Sequence, residues 1–324
     1  MSAMLRTALF GAGVMGSFHA RVISNSSRCE LAVVIDPNEE TGRALAARYE
    51  ATWQPNADTL PGIDAAVVAA PTEFHHKLVV PLLEDGIPTL VEKPVSGRMS
   101  EAEEMVRLAA KRHTPFMCGF VERFNPAVRT IAALLNEPMH IATVRHSPYA
   151  NRIQTGVGWD LLIHDVDTCL RFAGASPVEV SEGLGRFHPK SLAGEEDIAD
   201  AVMTFDTGLV ASVSANRISQ RKVRSLVVTE LDRTIEADLI RRDVTIYRHV
   251  SSNFQQDRSY RQQTIIEIPE LVTSAEPLAG QLEHFVNIID GVHDLDVERK
   301  SILPAHHVID RITNKGRSRS LTAV

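Results

Sequence analysis

Short, continuously apolar runs alternate with amphipathic stretches through the first third of the chain. The runs fall at residues 7–10, 31–36, 65–70, 89–92 and 116–120, and residues 14–24, 39–49, 73–84 and 100–112 between them carry helical spacing. Ala65-Ala-Val-Val-Ala-Ala70 has no polar face, which suits a strand buried on both sides. Alternation of such strands with helices predicts a doubly wound parallel sheet. Past Gly119 the period changes. After two helices, Ala201-Val-Met-Thr-Phe205 and Leu209-Val-Ala-Ser-Val213 flank Asp206-Thr-Gly208, the pattern of a hairpin. Residues 223–228, 234–237 and 243–247 continue the series. An amphipathic helix begins at Pro277 and runs to Ile289, and a last helix covers 305–312. The expected fold is α/β: a parallel sheet over residues 1–120, then an α+β domain over 121–324 with a mostly antiparallel open sheet.

Composition adds exclusions. The 324 residues are enough for two domains, and 44% hydrophobic with 23% charged residues is an ordinary globular mixture. No apolar run approaches a membrane span, and Arg6 leads directly into the first strand, so neither a membrane anchor nor a signal peptide is expected and the cytoplasm is the expected location. Cys29, Cys118 and Cys169 lie in apolar patterns without ligand spacing, which predicts burial and no disulfide framework. A net charge of −7 argues against a nucleic-acid partner. The basic stretch Asn314-Lys-Gly-Arg-Ser-Arg-Ser reads as a solvated tail.

The first apolar run enters Gly11-Ala-Gly13-Val-Met-Gly16, and about 20 residues later the second ends at Asp36. A strand, a G-x-G-x-x-G turn and a helix aim backbone N–H groups and the positive end of a helix dipole at a pyrophosphate. Gly11 permits the turn, Gly13 leaves the anion room, and Gly16 lets the helix pack on its strand, with Val14 and Met15 completing the loop. A carboxylate at Asp36 accepts hydrogen bonds from the adenine ribose and repels a 2′-phosphate, so NAD is favoured over NADP. Asp36 also begins the turn Asp36-Pro37-Asn38 before the next helix.

Ligands of open parallel sheets bind beyond the carboxyl ends of strands. Pro71-Thr72-Glu73-Phe74-His75 follows the third run and is placed to line the nicotinamide side, although His75 and His76 also fit a solvated helix face. Glu92-Lys93-Pro94 follows the fourth, where an X-Pro bond holds the lysine extended; Lys93 reads either as an amine fixed at the cleft or as a surface lysine. In Gly156-Val-Gly-Trp159-Asp160-Leu-Leu-Ile-His164-Asp165-Val-Asp167, Asp160 and His164 are four apart and share a helical face. An imidazole oriented by a carboxylate can take a proton from a hydroxyl. A packed core histidine is the alternative. Metal binding through His164, Asp165 and Asp167 converges poorly from one helix, and no metal is expected.

The ordered set Gly11-Ala-Gly-Val-Met-Gly16, Pro71-Thr72 with His75, Glu92-Lys93-Pro94, Gly119-Phe-Val-Glu-Arg123-Phe-Asn125-Pro126 and Asp160-xxx-His164 resembles the Gfo/Idh/MocA family, the glucose-fructose oxidoreductase and inositol dehydrogenase type of NAD(P)-dependent enzyme. The resemblance implies Lys93, Asp160 and His164 as the catalytic group. It implies reversible hydride transfer at a secondary alcohol of a sugar, sugar nucleotide or cyclitol, with reduction of another carbonyl or imine, or a non-catalytic regulator, as alternatives. Pro71, Thr72, His75, Glu92 and Lys93 then fall on the cofactor side, and Lys93, Arg123, Asn125, Tyr149, Asn151, Trp159 and His164 on the substrate side. It further implies a homodimer or homotetramer built through the open sheet. Residues 184–196 and 251–263 match nothing in this pattern.

Overall fold

The computed structural model describes residues 4–60, 62–151, 155–253 and 260–318. The chain divides into two compact units: one runs to Val121 and includes Ala275–His306, and the other comprises Glu122–Ser274 and the chain from His307 onward.

In the first unit β1 (Leu5–Phe10), α1 (Val14–Ser24), β2 (Cys29–Ile35), α2 (Glu39–Arg48), β3 (Thr52–Gln54), β4 (Ala65–Val68), α3 (His75–Glu84), β5 (Thr89–Glu92), α4 (Met99–Arg112) and β6 (Phe116–Gly119) follow in turn. Six parallel strands lie in the order β3-β2-β1-β4-β5-β6. Every residue of β4, β5 and β6 is buried, as their unbroken apolar runs require. Strand order reverses between β1 and β4, which opens a crevice at the carboxyl ends of these strands. The expected parallel sheet is therefore present. The sequence pattern left out β3, whose three residues are too few to show a period.

The second unit holds α5 (Pro126–Leu134), β7 (His140–His146), α6 (Ile163–Ala173), β8 (Glu179–Gly185), β9 (Ile198–Thr204), β10 (Val210–Asn216), β11 (Val223–Thr229), β12 (Thr234–Asp238), β13 (Asp243–Asn253) and β14 (Tyr260–Glu267). Its sheet has the order β14-β13-β12-β11-β7-β10-β9-β8, antiparallel except for the pair β7 and β10. Along β7 and β10 every second residue is buried, so one face is covered and the other open. The predicted hairpin is β9 and β10, closed by Gly208 at φ +87° with Phe205 N–H donating to Leu209 O at 3.0 Å. Strand β7 escapes the pattern because an inward position holds Arg145, a charge where alternation calls for an apolar residue.

The chain returns to the first unit with α7 (Pro277–Ile289) and α8 (Leu295–Lys300). Arg28 fixes α7 by donating to Asn287 Oδ1 at 2.7 Å and Asp290 Oδ2 at 2.5 Å. The last helix, α9 (Leu303–Ser318), extends past its predicted end. The side chains of the expected basic tail beyond Asn314 lie outside the described residues.

Candidate functional site

In the first unit the glycine turn has three distinct environments. Gly11 adopts φ +96°, and a Cβ there would lie 2.8 Å from Ala69 O and 2.9 Å from Ala70 N. At Gly16 a Cβ would lie 1.9 Å from Gly11 O, so the close approach of α1 to its strand depends on this glycine. Gly13 differs: a Cβ there meets no protein atom within 4 Å. This open space lies at the N-cap of α1, where no side chain caps the first-turn N–H groups. An uncapped helix start beside free volume fits a pyrophosphate.

Asp36 is anchored beside this turn. Its Oδ2 accepts from Ala12 N–H at 2.6 Å and its Oδ1 from Asn38 N–H at 2.8 Å, while Trp53 Nε1 donates to the Asp36 carbonyl at 3.1 Å. The carboxylate thus has a fixed direction before any ribose arrives, and Asn38 caps α2 by accepting from Thr41 N–H at 3.1 Å.

At the end of β5 the Lys93–Pro94 bond is cis. Glu92 is buried, with His19 Nε2 donating to its Oε1 at 2.7 Å and Lys93 N–H donating to Oε2 at 3.3 Å. Gly119 allows this packing, since a Cβ there would sit 3.1 Å from Glu92 Cα. Pro71 and Thr72 form a single 3₁₀ turn, closed by Phe74 N–H donating to Pro71 O at 2.9 Å. His75 is 1% exposed, with Nε2 2.9 Å from the Ala70 carbonyl and Nδ1 3.0 Å from that of Pro94. Burial lowers its pKa despite those carbonyls. His75 and Glu92, expected to line the cofactor, are both buried and hydrogen-bonded to the chain around Lys93.

In the second unit Asp160 lies in a π-helical turn, Gly158–Leu162, that runs into α6; Ile163 N–H reaches back to Gly158 O. The step from Asp160 to His164 crosses this junction instead of following one α-helical face as expected, and such turns recur at functional sites. Glu196 holds the turn by accepting from Gly158 N–H at 2.7 Å and, through its backbone carbonyl, from Val157 N–H at 3.0 Å. A Cβ on Gly156 or Gly158 would come within 2.4 Å or 2.9 Å of the Glu196 carboxylate, which explains both glycines of the motif. His164 is 8% exposed, and Trp159 is buried beside Asp160.

The residues around His164 are bound into a buried ionic frame. Arg145, 1% exposed, donates twice to Asp165, at 2.8 and 2.9 Å, and once to Glu122 at 2.9 Å. Burial alone would lower the Arg145 pKa, but these carboxylates raise it, so the guanidinium stays charged. Arg123 donates to both oxygens of Asp167, at 2.8 and 2.6 Å. The carboxylates of the alternative metal set are thus committed to guanidinium groups. Arg123 and Asn125, expected to face substrate, are both buried. Asn125 caps α5, accepting from Ala127 N–H at 3.1 Å, and donates to Glu122 Oε2 and to Leu239 O at 3.0 Å each.

Tyr149 is half-buried and stacks on His188, with ring centroids 3.5 Å apart, under the Arg217 guanidinium. Asn151 is exposed, next to residues 152–154 outside the described set. Asp197, which sequence reasoning missed, organises the unmatched segment before β9. It accepts from the backbone N–H groups of Phe187 and His188 at 2.7 Å each, from Ser191 Oγ at 2.5 Å and from Arg217 Nε at 2.8 Å. Burial pushes this carboxyl up, but the Ser191, backbone and Arg217 hydrogen bonds prevail and hold it at about 2. The acidic run Glu195-Glu196-Asp197 was the available signal. In the other unmatched segment β13 and β14 pair, and residues 254–259 lie outside the described set.

These features define an oxidoreductase with a Rossmann cofactor domain. Residues 5–120 match the oxidoreductase family with an NAD-binding Rossmann fold, and residues 128–233 match the GFO/IDH/MocA C-terminal domain. The chain belongs to the Gfo/Idh/MocA family and uses NAD. It is 28% identical over 289 residues, 88% of each chain, to the UDP-N-acetylglucosamine 3-dehydrogenase of Acidithiobacillus ferrooxidans. A solved structure of that enzyme superposes with a TM-score of 0.83, at 26% identity, over 96% of this chain and 97% of that one. It is also 27% identical to the scyllo-inositol 2-dehydrogenase (NAD(+)) of Bacillus subtilis, over 78% of this chain and 80% of that protein. Among the described residues no helix is long and apolar enough to cross a membrane.

Proposed function

We propose that this protein interconverts a secondary alcohol and a ketone on the sugar ring of a sugar nucleotide. The observation that carries the substrate class is the similarity to the A. ferrooxidans enzyme over 88% of both chains. Oxidation of a cyclitol is the second reading, favoured by the match to the B. subtilis inositol enzyme.

Bound NAD supplies the hydride acceptor. His164 takes the proton of the reacting hydroxyl, and Asp160 supports the charge that its imidazole gains. The Lys93 ammonium steadies the alkoxide as the carbon–hydrogen bond breaks. No atom of Asp165 or Asp167 is needed for this chemistry. Mixing the protein with NADH and, separately, keto forms of UDP-sugars and of inositols tests the reading by loss of NADH fluorescence. Turnover of the nucleotide sugar alone supports it. Turnover of the inosose alone favours the cyclitol reading, and cofactor binding without turnover across the panel favours a regulator.

Assembly is proposed through the open face of the second sheet. Ala142, Val144, Val202, Ser212 and Ser214, with the carboxylate of Asp200 among them, make a shallow trough there, and Val202, on the strand next to the edge, is 43% exposed. Such a surface suits a second copy of the chain. A cytoplasmic location accords with three buried cysteines, none of them in a disulfide.

A further inference from the structure

Three buried histidines grip the four residues Glu92–Val95 from three different elements of the first unit. From α1, His19 holds the Glu92 carboxylate at 2.7 Å. From α3, His75 Nδ1 lies 3.0 Å from the Pro94 carbonyl and 3.3 Å from that of Val95. From the start of α9, His306 accepts the Val95 N–H on Nε2 at 3.0 Å.

The His306 bonds define its proton. Because Nε2 accepts, the ring proton sits on Nδ1, which donates to Ile302 O at 2.8 Å. The ring is fully buried and packs edge-on to Phe120, with centroids 5.7 Å apart. A strand end followed by a turn has backbone groups without ladder partners, and buried ones must find others. Here imidazoles provide them on both sides of the segment, at Pro94 and Val95, and His19 fixes the carboxylate before Lys93.

We infer that His75 and His306 are positioning residues that aim Lys93 by fixing the backbone that follows it. This rests on the proposed role of Lys93. Neither ring is a catalytic group: His306 spends both nitrogens on Val95 N–H and Ile302 O, and both nitrogens of the buried His75 face framework carbonyls, to one of which the neutral ring donates. Replacing the His306 acceptor by a hydrocarbon frees the Val95 N–H and lets the lysine stem shift. A misplacement of about 1 Å costs on the order of 100-fold in turnover.

The test compares His306→Leu and His306→Gln with the native enzyme and with Lys93→Met. The glutamine carbonyl restores an acceptor for Val95 N–H. The inference expects kcat to fall 10- to 100-fold in His306→Leu, with KM and NAD affinity within about threefold of native, and most of kcat to return in His306→Gln. A purely structural histidine would lower the melting temperature in both variants and leave kcat per folded molecule unchanged, which overturns the inference. If His306→Leu does not fold, His75→Phe against His75→Gln carries the same comparison from the other side. An active Lys93→Met overturns the catalytic reading and this inference with it. An inactive Lys93→Met beside a native-like His306→Leu overturns this inference alone.

Discussion

Gly13→Ala separates cofactor binding from folding more cleanly than any other substitution in the glycine turn. Gly13 has φ −73° and ψ −163°, a conformation that alanine adopts without strain, and its Cβ would meet no protein atom within 4 Å. The apo fold therefore has nothing to lose. Replacing glycine at such a position stabilises by about 0.4–1 kcal/mol, because the unfolded chain has less freedom to give up. The same methyl group enters the space next to the uncapped N–H groups of α1, where the pyrophosphate is expected. Displacing the anion from one charge-assisted hydrogen bond costs about 1.5–3 kcal/mol, or roughly 10- to 100-fold in Kd. Calorimetric titration with NAD and a thermal melt without it read the two quantities on one preparation. The expected result is an unchanged or slightly raised melting temperature with NAD affinity down by at least tenfold. Gly16→Ala, whose Cβ would lie 1.9 Å from Gly11 O, should show the opposite sign in the melt. Native NAD affinity in Gly13→Ala would refute the placement of the anion, and a large loss of stability would refute the reading of the space as empty.

Other consequences are equally specific. Asp36→Ala removes the acceptor for the ribose hydroxyls and the repulsion of a 2′-phosphate; the NAD over NADP preference in kcat/KM should fall on the order of 10- to 100-fold, and unchanged discrimination would remove Asp36 from the ribose site. Arg145→Met strands the buried Asp165 carboxylate and leaves Glu122 to Asn125 and Arg224, and urea unfolding should show about 3–5 kcal/mol of lost stability; a loss below about 1 kcal/mol contradicts the frame. Asp197 is held at about 2 against an ordinary 3.8, worth about 2 kcal/mol at neutral pH. That contribution is complete above the unfolded value and disappears as pH falls through about 2, so the stability gap between native and Asp197→Asn should narrow from pH 5 to pH 2. Val202→Glu adds a second carboxylate beside the exposed Asp200 on the open face and should disfavour the proposed assembly, read as a lower mass in light scattering; an unchanged mass contradicts that interface.

The parallel sheet was legible because its strands are buried on both faces and need no alternation to be seen. The glycine turn was legible because each glycine answers a separate steric demand, at Ala69, at open space and at Gly11. What stayed hidden was tertiary. Arg145 looks like a surface residue in sequence, yet Asp165 and Glu122 make its inward position tenable, and strand β7 was lost with it. Arg123 and Asn125 looked available for substrate because their partners, Asp167 and Leu239, lie 44 and 114 residues away. The His306 contact with Val95 spans 211 residues, and the return of the chain to the first unit over Ala275–His306 is announced by no linker. The π-helical turn at Gly158–Leu162 was equally invisible, since it follows from the reach of Glu196 into two glycines.

The central claim is hydride transfer that depends on the amine of Lys93. The most direct test is pre-steady-state turnover of Lys93→Met with NAD and the substrate identified by the panel, followed by NADH absorbance. The account predicts a loss of about 100- to 1000-fold in the hydride step, the range for removing one preorganised transition-state partner. A Lys93→Met enzyme that forms NADH at a rate near native would contradict it.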